Sequence, residues 1–319
     1  MNASLKDLKD TYKRRDLLLP HIERHVVRKA AEPSDRRDDV MHPSEMAKGS
    51  WCGRKNYYRM LGLPQDYVSK SPSFRMENTF DYGHTAHRKY QRWLTEMGVL
   101  YGRWSCKDCP AEFFALSPPA CERCGSVRLR YREVPVAGDL IAGHGDGVVV
   151  LDGTARWLEI KTVGPASLRF EAPSLYDQYQ SEQMTPDELW FLIKRPFSSH
   201  QRQAQVYMEL ARQTYPDLVV DECILLYEWK PTQDVKEFLI QRSPDYVDSI
   251  LRTAAVVAAA VRSKTPPERP DWADMEKKTC GSCEYRKTCW GLTSDRPAPK
   301  KSIRVNRATA AQRRRTLRP

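Results

Sequence analysis

Asp146, Glu159 and Lys161 stand out because each is a charged residue in a stretch that otherwise reads as buried strand. Val148-Val149-Val150-Leu151 runs into Asp152-Gly153, a strong tight-turn signal, and an apolar strand resumes at Arg156. Side chains alternate along a strand, so Glu159 and Lys161 share a face. With the turn centred on residues 152–155, Asp146 falls opposite Lys161 and joins them on that face. Unpaired charges among valines are costly to bury, so the trio demands a ligand or a mutual pairing. Two carboxylates on neighbouring strands suit a hard divalent cation, Mg2+ or Mn2+, which prefers oxygen ligands and keeps several waters. A lysine on the same face can orient or help deprotonate a metal-bound water, or stabilise charge on a phosphoryl group. That combination fits metal-assisted phosphodiester hydrolysis; on these three residues alone, a salt-bridge cluster at a sheet end fits equally.

The nine cysteines form a second chemical set. Cys106-Lys-Asp-Cys109 and Cys121-Glu-Arg-Cys124 are two CxxC knuckles separated by eleven residues, a spacing that predicts a tetrahedral four-thiolate Zn2+ ribbon over 101–133. A ribbon this small buries too little core to fold without its metal. Cys280, Cys283 and Cys289 make an incomplete second set, and Cys52 is the remaining distant cysteine, because Cys223 lies in an apolar strand and reads as a small core residue. Spacing alone leaves zinc and an iron–sulfur cluster both open for this second site.

The elements that must position these groups follow from periodicity. A charged amphipathic helix is expected over 4–31, with Leu5, Leu8, Tyr12, Leu17 and Leu19 available for packing, then a polar linker to about residue 44. Helices are expected at 44–61 and 76–97; on the second, Phe80, Tyr90, Leu94 and Met97 form an apolar side that includes His87. Read by itself, His87 is first a core residue. The central hairpin spans 138–162, and helical pieces with loops fill 164–200, including Pro186 to Lys194. A helix at 199–213 carries Gln203, Val206, Tyr207 and Leu210 on one face, followed by strands at 218–227 and 235–241 and a helix at 244–263. Tyr176, Tyr179, Trp190 and Phe197 could stack on unpaired bases, with core packing the equal alternative.

The net charge is +11, and residues 300–319 alone carry eight Lys and Arg and no acid. The basic excess therefore sits mainly in a tail suited to a polyanionic partner or to solubility. The start, Met-Asn-Ala-Ser-Leu-Lys-Asp, lacks the apolar core of a secretory signal, and the most apolar run, Ala254 to Val261, is too short to span a membrane. A cytoplasmic, soluble protein without membrane contact is expected, its cysteines reduced and metal-binding.

Taken together, Gly143-His144-Gly145-Asp146 and Glu159-Ile160-Lys161 resemble the PD-(D/E)XK nuclease core. Gly83-x-x-x-His87, Gln203-x-x-x-Tyr207, and Cys52 with Cys280, Cys283 and Cys289 resemble the RecB-like branch, as found in CRISPR-associated and AddB-type iron–sulfur exonucleases. The segment His42-Pro-Ser-Glu to Trp51-Cys52-Gly-Arg-Lys-Asn-Tyr-Tyr58 is similar to their N-terminal cysteine region, and the ribbon insertion to those in nucleases of tailed bacteriophages. The resemblance implies an α/β fold with a mixed central sheet flanked by helices, an iron–sulfur staple and an inserted zinc ribbon. It implies a Mg2+ or Mn2+ site formed by His87, Asp146, Glu159 and the Ile160 carbonyl, a catalytic Lys161, and Gln203 and Tyr207 positioning DNA or the lysine. Cys52, Cys280, Cys283 and Cys289 would hold a 4Fe–4S cluster with a mainly structural role, while His84 and His144 are bystanders or substitutes for His87. The expected organisation is an N-terminal helix and linker (1–41), a nuclease core (42–100 and 134–295), the ribbon (101–133) and a basic tail (296–319). The implied activity is a DNA exonuclease acting on ends or single strands in recombination, replication or repair, with the proteins of those processes as partners and the host cytoplasm as its place if phage-encoded. A structure-specific endonuclease and a non-catalytic DNA-binding or scaffold subunit are the alternatives.

Overall fold

The hairpin that carries the charged trio is closed by two residues. In the computed structural model, which describes residues 17–32, 36–67 and 73–292, Asp152 and Gly153 both have positive φ, 50° and 75°. That is the conformation of a type I′ turn, whose twist matches the flanking strands. Pairing runs from Leu151↔Thr154 to Gly147↔Leu158. The expected four-residue turn is therefore corrected: the second strand resumes at Thr154, and extending the register sets Asp146 opposite Glu159 rather than Lys161. The slip is two residues, so side-chain parity survives and all three charged groups still share one face.

In chain order the described elements are helices α1 (Leu19–Ala30), α2 (Pro43–Met46), α3 (Gly53–Met60) and α4 (Phe74–Glu96), then strands β1 (Leu100–Cys106), β2 (Glu112–Leu116), β3 (Leu129–Arg132), β4 (Val134–Gly138), β5 (Ile141–Gly145), β6 (Gly147–Leu151) and β7 (Thr154–Val163). Helices α5 (Pro165–Glu171), α6 (Pro173–Gln180), α7 (Pro186–Leu192) and α8 (Ser198–Thr214) lead to β8 (Glu222–Trp229), β9 (Val235–Gln241) and α9 (Pro244–Ser263); α10 (Lys278–Gly281) and α11 (Arg286–Trp290) follow. The protein is mixed α/β. Its main sheet has the order β2-β1-β6-β7-β8-β9 with β3 also on β1, and β4 and β5 form a separate two-stranded sheet. β7 and β8 are parallel and their neighbours antiparallel. A parallel pair needs a long crossover, and α5 to α8 supply it, which brings α8 over the sheet.

The described residues divide between two compact units, one within residues 1–63 and 70–268 and the other within residues 64–69 and 269–319. The first contains the sheet and its flanking helices. Its core is aromatic-rich: Trp157, Tyr227 and Trp229 are fully buried, and Trp190 stacks on Trp229 with ring centroids 5.5 Å apart. Burying one such ring removes about 150–250 Å² of surface, on the order of 4–6 kcal/mol at about 25 cal/mol per Å². In the second unit, Cys280 is in α10, Cys289 is in α11, and the Asp66 carboxylate accepts from the Lys287 backbone N–H at 2.5 Å.

Several elements depart from expectation. The helix expected at 44–61 is two, because the chain breaks after Met46 and turns extended at Cys52 (φ −119°, ψ 111°) before α3 begins. α1 starts at Leu19, with Leu17 and Leu19 exposed; residues 4–16, holding the other expected packing positions, lie outside the described residues. Phe80 and Met97, expected on the packed side of α4, are exposed, while Tyr90 is buried. Trp190 and Phe197 are core residues. The strand expected at 218–227 runs from Glu222 to Trp229. The ribbon grows from the main sheet: β1 pairs with β6 through Leu100↔Val149 and Tyr101↔Val148, then continues into pairing with β2 and β3. The basic tail at 300–319 lies outside the described residues. Among the described residues no helix is long and apolar enough to cross a membrane.

Candidate functional site

Asp146 follows the last residue of β5 and precedes β6, where the chain returns from the two-stranded sheet to the main sheet. The glycines beside it are there for space. A Cβ at Gly145 would stand 1.8 Å from Cζ2 of buried Trp157, and one at Gly143 would stand 3.1 Å from the Tyr207 hydroxyl. Packing of Trp157 against this backbone thus fixes where Asp146 emerges.

Asp146 is 5% exposed, and its side chain is doubly held. Oδ1 lies 2.9 Å from His87 Nδ1, and Oδ2 accepts from the Ile160 backbone N–H at 2.6 Å. The Asp146 carbonyl accepts from Gln91 Nε2 at 3.0 Å and from the Tyr131 hydroxyl at 2.9 Å. Both donors come from elements that the charged trio alone does not reveal, α4 and the ribbon.

Glu159, 3% exposed, is the second buried acid. Its Oε1 lies 2.5 Å from Lys161 Nζ and accepts from Gln203 Nε2 at 2.7 Å. Oε2 takes no hydrogen bond from the described residues and is left for whatever occupies the cleft. Burial pushes the Glu159 carboxyl up, against the pull of Lys161. Burial also works against a charged Lys161, but the Glu159 and Asp146 carboxylates outweigh it and hold the ammonium above its ordinary range. For His87, burial disfavours the imidazolium, and the hydrogen bond and charge of Asp146 more than compensate, so its pKa is raised.

α4 and α8 deliver the remaining groups. α4 is pinned to β8 by a buried carboxylate: Glu228 accepts from Tyr90 at 2.7 Å, from Tyr82 at 3.1 Å and from Lys89. Burial opposes this charge, yet the three donors hold Glu228 below its usual range. This anchor sets the height of His87 over Asp146. On α8, Gln203 and Tyr207 are buried one helical turn apart; Gln203 reaches Glu159, and Tyr207 stacks on Trp157 at 5.7 Å. His200, one turn earlier, bonds Tyr227 at 2.6 Å; burial and Lys161 push it down to about 3, so it is a neutral structural group.

The side chains of His87, Asp146, Glu159, Lys161, Gln203 and Tyr207 line a single cleft of about 510 Å³, which His84 and His144 also border. The sequence pattern missed one member. Glu133, immediately after β3, brings its carboxylate within 4.8 Å of the ligand atoms of both His87 and Asp146, and these three form a potential metal-binding group. Solvent still reaches its side chain, but crowding by protein atoms, with the Asp146 charge behind it, pushes Glu133 up to about 7. Glu133 is the last residue of the expected ribbon, and nothing in its local sequence marks it; the pairing of β3 with β1 places it beside the cleft. One imidazole and three carboxylates around one lysine fit a divalent cation with oxygen and nitrogen preference.

In the ribbon, Cys106, Cys109, Cys121 and Cys124 also form a potential metal group, with all four sulfurs within 4.8 Å of one another. Sγ separations of 3.6 Å (Cys106–Cys124) and 3.7 Å (Cys109–Cys121) are close to the edge of a thiolate tetrahedron with metal–sulfur bonds of about 2.3 Å, about 3.8 Å. The Asp108 backbone N–H points to Cys106 Sγ at 3.3 Å, a contact that supports a thiolate. Cys52 is at the start of α3 in the first unit, and Cys280, Cys283 and Cys289 are in the second. Cys223 is buried in β8, as expected.

No protein-family profile and no curated protein match the chain. A solved structure described as "Crystal structure of SSO0001" is similar at 12% sequence identity and a TM-score of 0.38, covering 88% of this chain and 100% of that one. A TM-score that low does not establish a shared fold.

Proposed function

We propose that this protein is a divalent-metal-dependent DNA exonuclease of the PD-(D/E)XK, RecB-like type, hydrolysing phosphodiester bonds at DNA ends or in single strands. The observation that carries the reading is convergence. His87 on α4, Asp146 between β5 and β6, Glu159 and Lys161 on β7, and Gln203 on α8 line one cleft. A structural salt-bridge cluster would not need two buried acids lining a cavity, one of them with an oxygen that takes no hydrogen bond from the described residues.

A cation held by His87, Asp146, Glu159 and the Ile160 carbonyl, with Glu133 as a further donor, would supply Lewis acidity and an acidified water. Lys161, kept protonated by its two acidic neighbours, is suited to neutralising charge on the phosphoryl oxygens rather than to accepting a proton. Gln203 fixes the Glu159 carboxylate, and Tyr207 closes the cleft wall. Zinc is the proposed ion of the ribbon, since the four thiolates are closed to substrate as in structural zinc sites. A 4Fe–4S cluster at Cys52, Cys280, Cys283 and Cys289 rests on the sequence resemblance, and the visible absorption spectrum of anaerobically purified protein tests it.

The decisive assay compares end-labelled linear and circular single-stranded DNA with Mg2+ or Mn2+. Linear DNA should be degraded and circular DNA spared, and Asp146→Asn and Lys161→Ala should abolish cleavage while retaining DNA binding. Cutting of the circle would make the protein an endonuclease, and full activity in both variants would remove the site assignment.

A further inference from the structure

The cleft opens into a second cavity of about 880 Å³, and the two share His84, His87, Glu133 and His144. One side of this groove is α4 and the other is the ribbon hairpin of β1 and β3. Its Lys and Arg residues are Arg88 and Arg92 from α4, and Arg103, Lys107, Arg130 and Arg132 from the ribbon, against only Glu96 and Glu133.

The placement of these cations works against the fold. Arg103 is directly opposite Arg132 in the β1–β3 register, and Arg130 is opposite Ser105, so three guanidinium groups share one face of the hairpin. Like charges directly across a strand pair destabilise it. Arg88 and Arg92 are spaced four apart on α4, where like charges again repel. Little answers them. Arg103 has Glu112 at 3.7 Å and Arg92 has Glu96 at 3.6 Å, while Arg88, Lys107, Arg130 and Arg132 form no ion pair among the described residues. Arg103 Nε is buried without a hydrogen-bond partner.

A row of unneutralised cations that begins at the candidate active site is what a polyanionic chain would require. We propose that the ribbon hairpin and α4 form a track for the phosphodiester backbone of single-stranded DNA, holding the strand on one side of the bond to be cut. Cations on both sides of a groove suit a single strand lying between them, whereas a duplex presents its phosphates to one broad face. The ribbon then has two roles: it delivers Glu133 and Tyr131 to the site, and it grips the substrate beside it. This deepens the nuclease reading and rests on it for the direction of the strand, but the binding itself can be measured without cleavage.

The test uses the full chain carrying Lys107→Gln and Arg130→Gln together, two exposed residues outside the catalytic group. Affinity for a fluorescein-labelled oligothymidylate is read by anisotropy across about 0.05–0.2 M salt, with Ca2+ in place of Mg2+. Each lost phosphate contact should flatten the slope of log K against log salt by about 0.7, so the pair should flatten it by about 1.4 and weaken binding about 25-fold at about 0.1 M salt. Turnover of bis(p-nitrophenyl) phosphate, too small to reach the groove, should stay at the wild-type level. If wild type does not cleave linear single-stranded DNA with Mg2+ or Mn2+, the nuclease reading fails and the anisotropy result still decides the groove. Should the double variant melt early, Lys107→Gln and Arg130→Gln separately, at about 0.7 in slope each, decide instead. Unchanged affinity and slope would overturn the proposal. So would an equal loss in an Arg252→Gln/Lys264→Gln control outside the groove, or tighter binding of a duplex than of the single strand.

Discussion

Replacing Gln203 by leucine removes one hydrogen bond and very little volume. The lost contact, Gln203 Nε2 to Glu159 Oε1 at 2.7 Å, is a charge-assisted bond to a carboxylate that is 3% exposed. Bonds to charged groups contribute about 1.5–3 kcal/mol, which corresponds to about 10- to 150-fold in a binding constant. The same range is reached from metal sites in general, where loss of a group that orients a ligand costs about 10–100-fold in metal affinity or activity. Two physical effects add: the carboxylate loses its orientation, and burial, already raising the Glu159 pKa, goes less opposed, so protons compete better with the cation. Mn2+ binding to Gln203→Leu, followed by calorimetry, should therefore weaken by one to two orders of magnitude, and part of the loss should recover as pH rises. DNA binding in Ca2+ should change little. Wild-type Mn2+ affinity in a folded Gln203→Leu protein would refute the argument, because it would mean that Glu159 is not a ligand or is held by Lys161 alone.

Glu133 supplies a pH prediction. Its pKa in the fold, about 7, lies above its ordinary 4.5. The metal-free fold therefore carries no penalty from Glu133 below pH 4.5, and it loses stability as pH rises from there through 7. Melting temperature against pH should show this fall in metal-free wild type and a smaller one in Glu133→Gln, and Mn2+ affinity should climb over the same window; parallel curves for the two proteins would exclude it. Cys121→Ser should remove ribbon zinc, measured by elemental analysis, and lower the melting temperature, because metal binding supplies the ribbon's folding energy. It should also weaken Mn2+ binding in the cleft, since Tyr131 and Glu133 both depend on β3; full zinc content or unchanged Mn2+ affinity would contradict this coupling.

Much of this molecule is written locally. Period-two alternation and the Asp152-Gly153 turn specify the hairpin and the shared face of Asp146, Glu159 and Lys161. Apolar spacing places Gln203 and Tyr207 on one side of α8, and the CxxC pairs specify the ribbon. Asp-Gly is a local signal for a two-residue turn, and at that length it sets Glu159 rather than Lys161 opposite Asp146; the expected four-residue turn keeps the parity and misses the register. The helix expected across 44–61 stops after Met46 and restarts at Gly53, with Gly49-Ser50 in the break.

The site depends on long-range decisions that no window of sequence contains. His87 looks like a core residue until the Glu228 anchor sets α4 at the height of Asp146. Glu133 carries no motif and enters the cleft because β3 pairs with β1, which itself pairs with β6. The repulsion between Arg103 and Arg132 arises only from that same register. Sequence alone determined which residue types were available and which faces they share, because side-chain periodicity is a property of each strand or helix by itself. Tertiary structure decided which of those faces meet, because strand pairing and helix docking are set by burial summed over the whole core.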